Sequence, residues 1–424
     1  MSKLAPGANE FQNLRRAFPA LDQERDGRYP VFLDGPGGTQ VPQQVIDAMV
    51  SYLKSCNANH GGEFATSRES DRILAAAHQA IADLINAPSA REVVFGPNMT
   101  TLTFQFTRAV GRTLRSGDQV LVTRLDHDAN VSPWVLAARD AGATVQYVDI
   151  HPEDCTLDLE DLRNKLTAGT RWLALCCASN AVGTINDVRT ITRWAHAAGA
   201  RVFLDAVHYA PHGPIDVQDW DCDALACSAY KFFGPHVGAL WARRVILEEL
   251  PAYKLRPVPE TLPDRWMTGT QNHEGLAGVV AAVDYLACVP GAGAHEKLFP
   301  SMSPRARKLH AGMAAVQQYE SCLGRYLLEA LAARPGFKIW GIADLGRLDW
   351  RVPTISITRE DRTAQQIAEH LARRHIYVWN GNMYALGLSE RLGLEERGGF
   401  LRIGLIHYNT FEEIDRLLEA LDEL

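Results

Sequence analysis

The sequence predicts an α/β protein with a mainly parallel seven-stranded sheet flanked by helices, followed by a small α+β C-terminal domain. Between about residues 90 and 245, short apolar runs alternate with helix-like stretches, the pattern of strand–helix crossover units. Those runs suit strands covered by helices on both faces, as in a doubly wound sheet. Beyond residue 287 the style changes to short, spaced strands interleaved with helices.

Taken in order, residues 42–54 read as an amphipathic helix with Pro42 in its first turn, and residues 68–86 as a longer one. Strands are expected at 91–96, 119–123, 144–148, 171–177, 201–205, 224–228 and 238–242, with helices between them at 134–141, 159–166 and 190–198. Two helices follow, at 276–287 and 304–334, separated by the loop Val289-Pro290-Gly291-Ala292-Gly293-Ala294. The tail carries strands near Lys338 and at 354–357, 377–378 and 401–406, with helices at 363–374 and 411–424. Thr410-Phe411-Glu412-Glu413 is a capping box that starts the last helix. This divides the chain into an N-terminal segment, 1–30, packing with the small domain, a large domain, 31–287, and the small domain, 288–424.

Bulk properties exclude several classes. The 424 residues carry 43 Lys plus Arg against 50 Asp plus Glu, a net charge of -7 with no long run of one sign, so neither a nucleic-acid partner nor a membrane surface is expected. No apolar stretch reaches the roughly 18 to 20 residues of a spanning helix, and the N-terminus lacks a signal-peptide core, which predicts a cytoplasmic protein. Eight scattered cysteines show neither disulfide density nor paired zinc spacing; reduced thiols and no metal are expected.

Chemistry is concentrated around Lys231, in Ser228-Ala229-Tyr230-Lys231-Phe232-Phe233-Gly234-Pro235, which follows Asp205 by 26 residues. Asp205 ends the apolar strand at 201–205. A lysine that holds an aldehyde as a Schiff base, with an aspartate that keeps a pyridine nitrogen protonated, is what a pyridoxal phosphate enzyme needs. An ordinary solvated lysine is the alternative, but the apolar segment before Lys231 and the two phenylalanines after it argue against exposure. At Gly96-Pro97-Asn98-Met99-Thr100-Thr101 a strand ends and a helix begins, leaving amides for a phosphate or for a routine Asn cap. His127 follows the strand at 119–123, either to lie on a ring or to pair with neighbouring acids. Asn180 follows the strand at 171–177, and His208, Ser228 and Lys231 follow later ones. Polar groups thus converge after five strand ends on one edge of the sheet.

Several runs carry a family likeness: Val31-Phe32-Leu33-Asp34, Leu125-Asp126-His127-Asp128-Ala129-Asn130, Ser179-Asn180-Ala181-Val182-Gly183-Thr184, Leu204-Asp205-Ala206, Ser228-Ala229-Tyr230-Lys231, Gly269-Thr270-Gln271-Asn272 and Leu401-Arg402-Ile403-Gly404. With these the chain resembles the class V aminotransferase group of fold type I pyridoxal phosphate enzymes, in its cysteine desulfurase and selenocysteine lyase branch. The resemblance implies pyridoxal 5'-phosphate bound to Lys231 and paired through Asp205, with His127 stacked on the ring and Asn180 at the ring hydroxyl. It implies a phosphate held by the Met99 amide, Thr100, Ser228 and, across a homodimer interface, Thr270. Arg402 would grip the carboxylate of a small amino acid substrate, a task suited to its planar fork.

Four positions depart from the family pattern. Its nucleophilic cysteine falls at Tyr384, and no cysteine follows Cys322. Its glutamine near the ring is His208, its histidine before the lysine is Tyr230, and an arginine of the cysteine loop is Trp379. A phenol with pKa near 10 cannot carry a persulfide. Trp379, Asn382 and Arg402 are then expected on the substrate side, and His208 and Tyr384 join Lys231, His127 and Asp205 as catalytic candidates. For Trp379 and Tyr384, simple packing of the loop is the alternative. The reaction expected is carbon–sulfur β-elimination, a lyase reaction without a persulfide; racemisation or epimerisation, and transamination, share the same early steps. A different class, a non-catalytic scaffold, fits the loss of the thiol but not the retention of Lys231, Asp205, His127 and Arg402.

Overall fold

The computed structural model describes residues 8–424. Its main sheet contains β1 (Val93–Gly96), β2 (Gln119–Thr123), β3 (Thr144–Val148), β4 (Thr170–Cys176), β5 (Arg201–Asp205), β6 (Ala224–Ser228) and β7 (Gly238–Ala242). The spatial order is β1-β7-β6-β5-β4-β2-β3. Pairing is parallel except at β7, which runs antiparallel to both β6 and β1. The reason lies in the link 229–237: a parallel return takes about a dozen residues or more, and this link is shorter, so the chain must turn straight back. Lys231 sits on that link.

Successive strand residues face opposite layers, and both are buried. Val120, Val122, Trp172, Ala174, Phe203 and Leu240 point to one layer; Leu121, Leu173, Leu175, Val202, Leu204 and Trp241 point to the other. Helices α1 (Gln43–Ser55) and α2 (Ala65–Leu84) precede the sheet, and α3 (Met99–Gly111) and α4 (Ser132–Ala141) pack against each other over the first layer. There the Phe106 ring lies 5.4 to 6.3 Å, centroid to centroid, from Trp134, Trp172, Phe203 and Trp266. Helix α5 (His273–Leu286) packs on α1 and α2, and α6 (Pro304–Ala332) leads into the second sheet.

That sheet is antiparallel, with β8 (Phe337–Trp340), β9 (Thr354–Arg359), β10 (Trp379–Gly381) and β11 (Phe400–Gly404) in the order β8-β9-β11-β10. Most boundaries shift by one to three residues, and three differences have a clear cause. The strand expected at 377–378 divides, Ile376–Tyr377 pairing with Val31–Phe32 before β10 begins. The strand expected to reach residue 406 stops at Gly404, because the Leu405 amide turns to the Pro353 carbonyl. The loop expected at 289–294 runs into a short helical turn, Ala292–His295.

The segment before residue 31 joins the two parts and does not favour the second alone. Phe18 meets Phe233 and Tyr285 on one side and Tyr408 on the other, while Arg15 donates to the Tyr408 carbonyl and pairs with Glu413. Residues 1–7 of that expected segment lie outside the described residues. Gly404 explains how closely the parts approach: a Cβ there would stand 1.9 Å from Pro36 Cδ.

Phe106→Ala should lower the free energy of unfolding by about 3 to 5 kcal/mol, the range for truncating a buried phenylalanine. The exposed Leu298→Ala should stay within about 0.5 kcal/mol of the parent. Denaturant midpoints of the two variants check both.

Candidate active site

The C-terminal ends of the main strands and the edge of the second sheet enclose a cavity of about 410 Å³. All the expected site residues line it except Thr270, which is exposed and elsewhere on the surface. A cavity of this size suits a drug-sized ligand.

Lys231 is fixed by the tight link it rides on. The Ala229 amide bonds the Val237 carbonyl at 2.7 Å, Ala229–Lys231 forms one helical turn, and Phe233 takes a left-handed conformation at φ 71°. The amine donates to the Pro36 carbonyl and lies 5.1 Å from the Tyr230 ring centroid. Burial, aided by the positive charge of Arg402 and opposed by Asp205, pulls its pKa down to about 7. At neutral pH the amine is therefore available as a nucleophile and base.

Asp205 ends β5 and accepts the Val207 amide at 2.8 Å. Burial pushes its pKa up to about 6, against the pull of that amide and of Lys231. A second buried carboxylate, Asp126, accepts from Thr123 and from Asn130 at 2.7 Å, and burial raises it to about 7. In the sequence, Asp126 reads only as an acidic neighbour of His127; the Thr123, Asp126, Asn130 spacing is the signal that it is a buried organiser of the loop.

Helix α3 opens at the cavity, with Asn98 capping the Thr101 amide at 2.8 Å. Gly238 of β7 lies so close that a Cβ would stand 2.3 Å from the Asn98 carbonyl carbon. One expectation changes here: the Met99 amide is engaged, donating to Ser228 Oγ at 2.9 Å. The Ser228 hydroxyl then has its own proton to offer an anion, and both residues line the cavity.

His127 Nδ1 accepts the Ala129 amide at 3.0 Å. Burial, with Lys231 next in weight, lowers its pKa to about 4, which leaves a neutral ring with its proton on Nε2. His208 is buried with Nε2 3.0 Å from Thr354 Oγ1. The Asn180 amide, expected to donate to a ligand, instead donates to the Met383 carbonyl at 2.8 Å, and its Oδ1 is the atom left buried without a partner. Arg402 is buried, donates to the Asn180 carbonyl at 2.9 Å and keeps Nε unpaired. Burial lowers it to about 9, opposed by Asp34. Asp34, itself pushed to about 6 by burial, does not line the cavity but offsets the charge of Arg402; a family run contains it, and sequence reasoning gave it no role.

The loop after β10 forms the rim. Register places Trp379 opposite Arg402, and the Trp379 indole packs so tightly on Gly37 that a Cβ there would stand 2.2 Å from Nε1. Asn382 lines the cavity and also shapes the loop: its amide donates to Glu395 at 2.9 Å and its oxygen accepts the Tyr384 amide at 3.0 Å. Met383 and Tyr384 hold left-handed conformations, φ 58° and 57°, which non-glycine residues rarely adopt. The result lays the Tyr384 ring nearly parallel to His127, centroids 5.3 Å apart at 16°. Among the described residues no cluster of His, Cys, Asp or Glu has the arrangement to hold a metal.

The donor set fits pyridoxal phosphate. A half-buried amine and a buried carboxylate sit in one cavity, a helix N-terminus with a serine hydroxyl stands beside them, and Asn180 Oδ1 and Arg402 Nε are buried without partners. Unsatisfied buried polar atoms each cost about 1 to 3 kcal/mol, so these two favour an occupant that bonds them.

Comparison with known proteins agrees. The profile of the class V aminotransferases matches residues 31–297 and 305–417. A cysteine desulfurase of Serratia proteamaculans is 30% identical over 429 residues, covering 98% of each chain. An aminotransferase-like protein of Gibberella zeae is 31% identical over 423 residues, covering 97% of this chain and 98% of that one. The apo structure of a cysteine desulfurase from Thermococcus onnurineus NA1 superposes with a TM-score of 0.85 at 22% identity, covering 97% of both chains, a likeness of fold.

The charge balance at Lys231 gives a signed prediction. In the cofactor-free protein, labelling of Lys231 by an amine reagent, followed by mass spectrometry, should reach half its maximal rate near pH 7. Arg402→Gln removes a repelling cation and should move that midpoint up; Asp205→Asn removes an attracting anion and should move it down, each by roughly half to one unit.

Proposed function

The chain belongs to the class V aminotransferase family, whose enzymes use pyridoxal 5'-phosphate, and on that premise we propose that it is a lyase that eliminates a sulfur leaving group from the β-carbon of a small amino acid. The observation that carries this reading is Tyr384: a phenol, not a thiol, is locked onto the rim by two left-handed residues and stacked on His127. A phenol donates a proton but does not accept sulfur.

Bound pyridoxal phosphate supplies an electron sink for a pair released at the α-carbon. Lys231 and Asp205 would hold it, with Thr100, Ser228 and the Met99 end of α3 at its phosphate. Arg402 orients the substrate carboxylate through its unpaired Nε and remaining donors. Lys231 Nζ, neutral near pH 7, takes the α-proton. Tyr384 Oη, with His127 behind it, gives a proton to the departing sulfur, which leaves as a thiol or sulfide. The remaining three-carbon amine hydrolyses to a keto acid and ammonium, so atoms balance with one water consumed. Neutral His127 and His208 limit the number of cations around Lys231 and Arg402, and Tyr230 offers a ring under the amine. A homodimer, with Thr270 reaching the phosphate of the neighbouring copy, completes the reading.

The cofactor-loaded protein should show a visible absorption band that Lys231→Ala abolishes. In deuterated water, a panel of L- and D-amino acids should include a cysteine-like substrate that gives keto acid, ammonium and thiol or sulfide in equal amounts. Tyr384→Phe should lower kcat by about 10²- to 10⁴-fold, the usual worth of a positioned acid, with a smaller effect on KM. Exchange of the α-proton with inversion and no keto acid would replace the lyase by an epimerase. A persulfide on any cysteine would overturn the reading outright.

A further inference from the structure

A line of buried polar side chains that this reaction does not use runs inward from the cavity wall. His208 meets His212 edge to face, ring centroids 5.3 Å apart. His212 Nδ1 lies 2.6 Å from Glu320 Oε2, and the other oxygen of Glu320 lies 3.9 Å from His407 Nδ1. His407 Nε2 ends the line on the Tyr285 hydroxyl at 2.7 Å. His212 and Glu320 are each 1% exposed, and His407 is 0%. Glu320 is delivered by α6 among Val316, Leu323 and Leu327, all buried, where packing alone would call for another apolar side chain.

A buried carboxylate is costly unless it is paired and hydrogen-bonded. The short contact to His212 supplies that pairing. It also repeats the arrangement in which a carboxylate fixes the tautomer and charge of an imidazole that serves a reacting centre.

We propose that His212 and Glu320 are positioning residues for His208: the pair holds one buried proton as imidazolium and carboxylate, and the positive His212 ring keeps His208 a neutral hydrogen-bonding group at the cavity wall. The assignment rests on the reading of this cavity as the reaction site. His208 is faced by His212, Arg402, Lys231 and His127; Glu320 is faced by His212 and His407, and His407 by His212 and Tyr285. Burial holds the proton affinity of His208 well below the ordinary range, with His212 the first of the charged neighbours that reinforce it. A protonated His208 would be a further cation beside Lys231 and Arg402; a neutral one can exchange a hydrogen bond with Thr354 and the bound groups.

The charge states can be read without turnover. In cofactor-loaded protein labelled with ¹⁵N-histidine, with signals assigned from His208→Gln and His212→Gln, His212 should show both ring nitrogens protonated, and His208 one, at neutral pH. A neutral His212 there overturns the proposal, whether or not any amino acid reacts. Glu320→Gln should release the His212 proton, raise the proton affinity of His208 and move the acid limb of kcat upward by about one unit, a tenfold change. Glu320→Asp should return part of that shift. If both variants lower kcat alike while the acid limb and the His208 signals stay in place, the pair is structural only and the proposal fails.

Discussion

Lys231 is half-buried against the Pro36 carbonyl, and much of the site follows from the cost of keeping it there. An isolated ammonium in a protein interior is expensive, and such groups adjust their pKa instead of remaining charged. Arg402, buried in the same cavity, adds a repelling charge, whereas Asp205 adds an attracting one. The two cations are balanced by two carboxylates, Asp205 and Asp34, each itself raised by burial. Histidines complete the set without adding charge, since burial leaves both His127 and His208 neutral. The outcome is an amine that titrates near neutrality, which is the condition for moving protons at that pH.

Backbone connectivity makes this charge arrangement possible. The link between β6 and β7 is too short for a crossover, so it folds back and projects Lys231 into the cavity. Pro36, which receives the amine, is pressed against Gly404 at the end of β11, and Arg402 stands two residues earlier on the same strand. The partner carbonyl and the repelling guanidinium are therefore both positioned by the second sheet. Phe18, wedged among Phe233, Tyr285 and Tyr408, holds that part of the chain against the link carrying Lys231.

The main sheet was legible because its strands are continuous apolar runs; five of the seven, β2, β3, β5, β6 and β7, match their expected bounds. What could not be read was anything decided by a distant partner. The stop at Gly404 depends on Pro353, and the division at residues 376–381 depends on Val31–Phe32. The same holds for the site. Lys231, Asp205 and His127 stand at strand ends, where sequence order alone brings them together. The amide contacts of Asn180 and Asn382 could not be read, because they go to Met383 and Glu395, remote or loop-internal partners that no motif encodes. Glu320 was invisible for a related reason: one acid on a long helix reads as a solvated face until the packing shows it buried.

The rim loop is held in an unusual backbone conformation. Two consecutive left-handed residues that are not glycine cost of order 1 to 3 kcal/mol each, and such strain persists only where surrounding contacts over-determine it. Here those contacts are specific: Asn382 accepts the Tyr384 amide, Asn180 donates to the Met383 carbonyl, and the Asp128 amide donates to the Tyr384 carbonyl at 2.7 Å. The last two tie the loop to the strand ends that carry Asn180 and His127. A side chain placed merely to fill the entrance would not need such a constraint, and Tyr384 fills little, being 73% exposed. What the constraint fixes is the placement of the phenol, its ring nearly parallel to that of His127 at the mouth of the cavity.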